Sequence, residues 1–230
     1  MSKTIENLLL NSNLPGPRGN LELMYSFSKM ASAQEVDKCL SYITDNLRNS
    51  PEEFVAMCGI VGYAFVNKEK LHETVSFLRK FASHSSWRIR EAVAMGIQEM
   101  TGDRLTEIMH ELSGWLSGNE FEKRAVVAAL CEPKLLKEKT GVSAVFSILK
   151  EITLTSFPED GKITDGQTSL RKALGYGWSV AVVASPGEGK RFLENLAGNS
   201  NRHIRWILKE NLKKNRLSVM DRKWVESFVI

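Results

Sequence analysis

One spacing pattern, repeated along the chain, restricts what this sequence can fold into. Ile89, Ala92, Val93, Gly96 and Ile97 follow one another at steps of 3, 1, 3 and 1. Leu170, Ala173, Leu174, Gly177 and Trp178 repeat those steps, as do Ile204, Ile207, Leu208, Asn211 and Leu212. Steps of three and four put side chains on one face of an α-helix, whereas a half-buried strand alternates. In every copy an arginine follows the first stripe residue: Arg90, Arg171 and Arg205. A fourth copy, FEKRAVVAALC, keeps Arg124 in phase with Val126, Val127, Leu130 and Cys131, with Lys123 where the other copies begin their stripe.

The intervals between these arginines are 34, 47 and 34 residues. Self-similarity at a period of about 20–50 residues, built from helices, is the mark of an α-solenoid. The expected architecture is therefore all-α: a curved solenoid of five to six HEAT-like antiparallel helix pairs forming a single domain over residues 1–230. The long interval exceeds the short ones by 13 residues. The stretch near 152–167, ITLTSFPEDGKITDGQ, carries the turn-forming Pro158–Gly161 and an alternating Ile152–Thr155. It reads as a loop or short hairpin inserted between repeats.

Helix starts support this segmentation. Ser50-Pro51-Glu52-Glu53 has a cap residue, proline at the first helical position and an acid at the third. Asn119 with Glu122 is a second start, and Ser185-Pro186 with Glu188 a third. The six prolines (15, 17, 51, 133, 158 and 186) all avoid the interiors of the expected helices.

Several classes of function lack their signature here. PGEGKRF at 186–192 misses the first glycine and the Ser/Thr of a phosphate loop. There is no CxxC, HExxH or GxSxG, and the four histidines are scattered, so no metal or cofactor is expected. Cys39, Cys58 and Cys131 lie far apart in apolar helical contexts and read as buried thiols of a reducing compartment. The longest uncharged stretches fall short of the ~18 apolar residues of a membrane span, and MSKTIENLLLNSN lacks the form of a signal peptide. The expected location is cytoplasmic, away from membranes.

Charge is uneven. After residue 170 there are 12 basic and 5 acidic residues; the first 170 hold 19 basic and 22 acidic. Arg202, Arg205, Lys209, Lys213 and Arg216 step by 3, 4, 4 and 3, and Trp206 falls within this cationic stripe. A basic ridge with an aromatic in it suits a phosphate backbone. The competing reading is a solvated helix face with lysines placed well near a helix C-terminus. Trp87 and Phe121 occupy equivalent helix-start positions, three before Arg90 and Arg124, and suit packing between repeats; Trp178 sits on an apolar stripe and reads as core.

GWLSGNEFEKRAVVAAL (114–130) and LRKALGYGWSVAV (170–182) resemble the HEAT-like repeat alkylpurine DNA glycosylases of bacteria. Trp115 matches that family's tryptophan, Lys123-Arg124-Ala125 its basic pair, and Lys172–Tyr176 its Lys-Ala-Ile-Gly-Trp segment. The resemblance implies a curved stack of helix pairs that holds duplex DNA on a basic concave face and excises alkylated bases. Asn119 stands where the family has its catalytic aspartate. An amide neither stabilises the positive charge that develops on the sugar nor activates water, and such losses cost orders of magnitude in rate. LPGPRGNLEL (14–23) and RHIRWILKENLKKNRL (202–217) also resemble a branch of bacterial HEAT-like proteins.

Together these features predict a non-catalytic relative that binds duplex or branched DNA through Arg90, Arg124, Arg171, Arg202, Arg205, Trp206, Lys209, Lys213 and Arg216, with Trp115 and Asn119 marking the glycosylase-like cleft. The alternatives are a scaffold that binds a protein partner in its groove, and a glycosylase with a displaced acid.

Overall fold

The computed structural model describes residues 2–137 and 141–228. Among them are thirteen α-helices and one 3-10 turn, and no strand. The chain divides into two compact units, residues 1–102 and 103–230.

The first unit holds α1 (Lys3–Leu10), α2 (Leu21–Met30), α3 (Ala33–Leu40), α4 (Pro51–Val66), α5 (Leu71–Arg79) and α6 (Trp87–Thr101). Its centre is α4, which packs against all five of the others. The sequence of α4 is apolar on every side, as a helix surrounded by neighbours must be, and Glu53 to Gly62 are all buried. Ser50 caps its start by accepting from the Glu53 amide, 3.4 Å away. Gly59 is where α3 comes closest: a Cβ there would lie 2.7 Å from the Leu40 backbone nitrogen.

The second unit holds α7 (Leu105–Glu111), a 3-10 turn (Ser113–Trp115), α8 (Glu120–Leu130), α9 (Val142–Thr155), α10 (Asp165–Ala184), α11 (Pro186–Ala197), α12 (Arg202–Leu212) and α13 (Asn215–Glu226). The 20-residue α10 is its axis. It packs between α8 and α12, and α9, α11 and α13 lie against it as well. The stripes read from the sequence are the faces that meet: Val126, Val127, Leu130 and Cys131 near α8, Leu170, Ala173, Leu174, Gly177 and Trp178 on α10, and Ile204, Ile207 and Leu208 on α12 are buried.

Asn211, the polar residue in the α12 stripe, is fully buried and clamps α10. Its side-chain oxygen accepts from the Ser179 amide at 2.8 Å, and its nitrogen donates to the carbonyls of Leu174 and Ile207, each at 2.8 Å. A buried amide with its bonds made holds two helices in one register; a leucine there would strand backbone groups.

Two expectations hold only in part. The stretch near 152–167 carries a loop but no hairpin. Ile152 to Thr155 complete α9, because Val145, Phe146, Leu149, Ile152 and Thr153 continue one buried helical stripe. Thr153 accepts from the Trp178 indole at 3.0 Å, which ties this turn to α10. The connecting loop is residues 156–164, ending where Thr164 and Gln167 form a reciprocal cap on α10. The basic stripe of 202–216 is likewise not one helix. Helix α12 ends at Leu212, Lys214 is extended, and Arg216 belongs to α13.

All three cysteines are free and buried. Burial pushes the Cys39 and Cys131 thiols up to about 12, and Cys58 well above its ordinary value. They are packing groups held as thiols. No helix among the described residues is long and apolar enough to cross a membrane.

Candidate functional site

The cationic residues separate by what each one touches. In the first unit, Arg90 donates to the carbonyls of His84 at 2.5 Å and Ser85 at 2.9 Å, so it holds the turn preceding its own helix. In the second unit, Arg124 is half-buried on α8, while Arg205 and Lys209 are exposed on α12. Lys213 pairs with Glu210 at 2.6 Å. Arg216 lines an apolar pocket with Pro133, Leu136, Val180, Val183 and Ala184.

Arg171, Arg202 and Trp206 do come together. With Lys162, Ile163 and His203 they line an open pocket of about 500 Å³. Arg171, on α10, lays its guanidinium over the Trp206 ring, 4.5 Å from the centroid. Trp206 is drawn onto α10 because residue 175 is glycine: a Cβ there would lie 3.1 Å from the indole Cζ3. Arg171 also places Nη1 3.0 Å from Nδ1 of His203, which is buried behind the pocket. Arg202, the first residue of α12, directs Nε at the other ring nitrogen, 3.4 Å away, and donates through Nη2 to the Gly161 carbonyl of the 156–164 loop. Asn201 fixes the same loop by donating to the Pro158 carbonyl at 2.9 Å, and caps α12 by accepting from the His203 amide.

The electrostatics of this pocket are one-sided. Neither Arg171 nor Arg202 pairs with a carboxylate among the described residues. Arg171 Nε is buried and has no hydrogen-bond partner. Burial first, and the Arg202 charge second, lower the Arg171 pKa. Burial, then Arg171 and Arg202, hold His203 below the usual histidine range, so the ring favours its neutral form. A neutral imidazole has one acceptor nitrogen. Two guanidiniums aimed at its two nitrogens cannot both be satisfied by it.

The glycosylase-like positions have other surroundings. Trp115 is 2% exposed, within the core of its unit. Asn119 is the N-cap of α8: its Oδ1 accepts from the amides of Phe121 at 2.9 Å and Glu122 at 3.1 Å, while the Glu122 carboxylate accepts from the Asn119 amide. The amide at this position therefore has a structural use.

Three pocket residues, His203, Lys162 and Ile163, are absent from the residues singled out in the sequence. The signal for His203 was available. It lies two residues before Arg205, which aligns with Arg171, so it falls where neighbouring repeats would meet. Lys162 lay in the loop, outside any periodic pattern. No family model, no curated protein and no solved structure matches this chain.

Proposed function

We propose that this chain is a non-catalytic HEAT-like repeat protein that binds DNA, with the Arg171–Arg202–His203–Trp206 pocket as the centre of the contact. The observation that carries the reading is a set of converging guanidiniums without carboxylates to neutralise them. Arg171 is half-buried, and such arginines in folded proteins are paired or await an anion; Arg202 beside it is exposed. Arg205 and Lys209, exposed on the same helix, extend the positive surface beyond the pocket. Phosphates neutralised by such groups release counterions, which makes binding tight at low salt.

The repeat assignment is part of the proposal. It is supported by α8, α10 and α12, which carry copies of one stripe and pack in that order. HEAT-like pairs would be α7 with α8, α9 with α10, and α11 with α12. The reading assigns no bond-breaking step.

A protein-binding scaffold is the second reading, favoured by the apolar pocket of about 500 Å³ that Arg216 shares with Val180 and Val183. Fluorescence anisotropy with labelled duplex, branched and single-stranded DNA at low salt separates the two. DNA binding that Arg171→Gln with Arg202→Gln weakens, and Val183→Asp leaves unchanged, supports the first. No binding to any of the three overturns it.

A further inference from the structure

The pocket gathers more positive charge than one internal phosphate of a DNA strand carries. An internal phosphodiester offers two non-bridging oxygens and one charge. A terminal phosphate monoester offers three oxygens and a charge near −1.5 to −2 at about neutral pH. Arg171, Arg202, Lys162 and His203 line one space. We propose that this pocket seats a terminal phosphate of a DNA strand in preference to the internal phosphates, a proposal that rests on the nucleic-acid reading above.

Three features of the geometry support it. The guanidiniums are held in place by the protein itself: Arg171 is stacked on Trp206, and Arg202 is tied to the Gly161 carbonyl. Fixed planar forks match phosphate oxygens in pairs, which mobile lysines do not. Next, the cluster does not satisfy its own donors. One ring nitrogen of His203 must carry a proton toward an arginine donor, and Arg171 Nε lacks an acceptor. A multiply charged oxyanion in the pocket supplies acceptors for the guanidinium donors that the histidine leaves over. Finally, the pocket has a wall. The 156–164 loop, pinned by Arg202, by Asn201 and by the Gln167 side-chain amide on the Ser156 carbonyl, brings Lys162 and Ile163 to one side. In the proposed seat the strand end abuts this one wall, and the rest of the pocket stays open.

The test uses the full chain and matched DNA duplexes that differ only in their ends: 5′-phosphate, 3′-phosphate or hydroxyl. Affinities are read by anisotropy at one fixed low salt. The expected result is a preference of about tenfold or more for a phosphate-bearing end, the size of one or two charge-assisted hydrogen bonds. Arg171→Gln and the exposed-loop variant Lys162→Gln each reduce that preference, whereas Arg205→Gln, outside the pocket, weakens all three duplexes alike. Circular dichroism of each variant establishes that it is folded, and Lys162→Gln provides the test if Arg171→Gln is not. Equal affinity for all three ends, with all three weakened by Lys162→Gln and Arg171→Gln, overturns the terminal-phosphate proposal and leaves the broader reading in place. Binding of none of them overturns the broader reading itself.

Discussion

Each unit of this protein contains an arginine stacked on a tryptophan, and the two arginines have opposite circumstances. In the first unit, Arg88 lies 4.6 Å from the Trp87 ring centroid and is 6% exposed. Its Nη1 donates to the Glu53 carboxylate at 3.2 Å, and its Nη2 to the Gly16 carbonyl at 2.6 Å and the Asn49 side chain at 3.1 Å. Glu53 in turn accepts from Ser86, the cap of α6, and from the Asn49 amide. That network is closed. It joins the loop before α2 to the starts of α4 and α6. In the second unit, Arg171 has the same aromatic support, but a neutral histidine stands where the carboxylate would be, and a second arginine stands behind it. The same residue pair thus serves as a structural tie when its charge is compensated and, in the proposed reading, as an anion seat when it is not. The unit totals agree: residues 1–102 contain 11 basic and 11 acidic residues, residues 103–230 contain 20 and 16.

Substitutions on the two sides of this contrast should behave differently. The largest effect is expected from Glu53→Ala, which leaves Arg88 buried and uncompensated. Removing one partner of a buried pair costs roughly 3–5 kcal/mol, and urea unfolding should show it. Asn211→Leu should cost less, about 1–3 kcal/mol by the same measurement, because it strands the Ser179 amide and the Leu174 carbonyl. Arg171→Gln is expected to shift stability by no more than about 1 kcal/mol, since it removes a cation from beside Arg202 as well as a stacking interaction. A destabilisation as large as that of Glu53→Ala would show that Arg171 is a structural tie too, and would end the contrast.

The smallest effect is on pH dependence. His203 faces Arg171 and Arg202, packs near Phe157, and has a pKa lowered in the fold. The unfolded chain therefore binds the proton more readily than the folded one. The stability this contributes is full above the unfolded histidine value of about 6.5 and is lost as pH falls through the folded value. Replacing His203 with Gln should flatten unfolding free energy between neutral pH and the onset of carboxylate titration. An unchanged slope would mean that the ring is not held neutral by its burial and its two arginines.

Much of the fold was legible because burial writes itself into spacing. The stripes at 89–97, 170–178 and 204–211 are buried faces, and the Asn119–Glu122 cap forms as expected. The Ser185 cap position was also legible, but its side chain makes no cap bond, and Glu188 instead accepts from Ser143 of α9 at 2.7 Å. A long-range partner outcompeted the local one, and spacing carries no record of such partners. The same holds at the site. Arg171, Arg202 and Trp206 were visible as charge and aromatic content, but their convergence depends on Gly175 admitting the indole and on a loop tied back by Arg202. The break at Lys213–Lys214 was hidden because the residues on both sides continue a basic helical pattern while the backbone turns.

Whether the uncompensated arginines hold phosphate is decided by the salt dependence of DNA affinity, measured for the wild-type chain and for Arg171→Gln/Arg202→Gln. Wild-type affinity should fall steeply and linearly with log salt. The double variant should bind more weakly, with a slope shallower by up to about 0.9 for each phosphate that is no longer neutralised. A double variant with the wild-type slope and affinity would contradict the anion-seat reading, because the two arginines would then hold no phosphate.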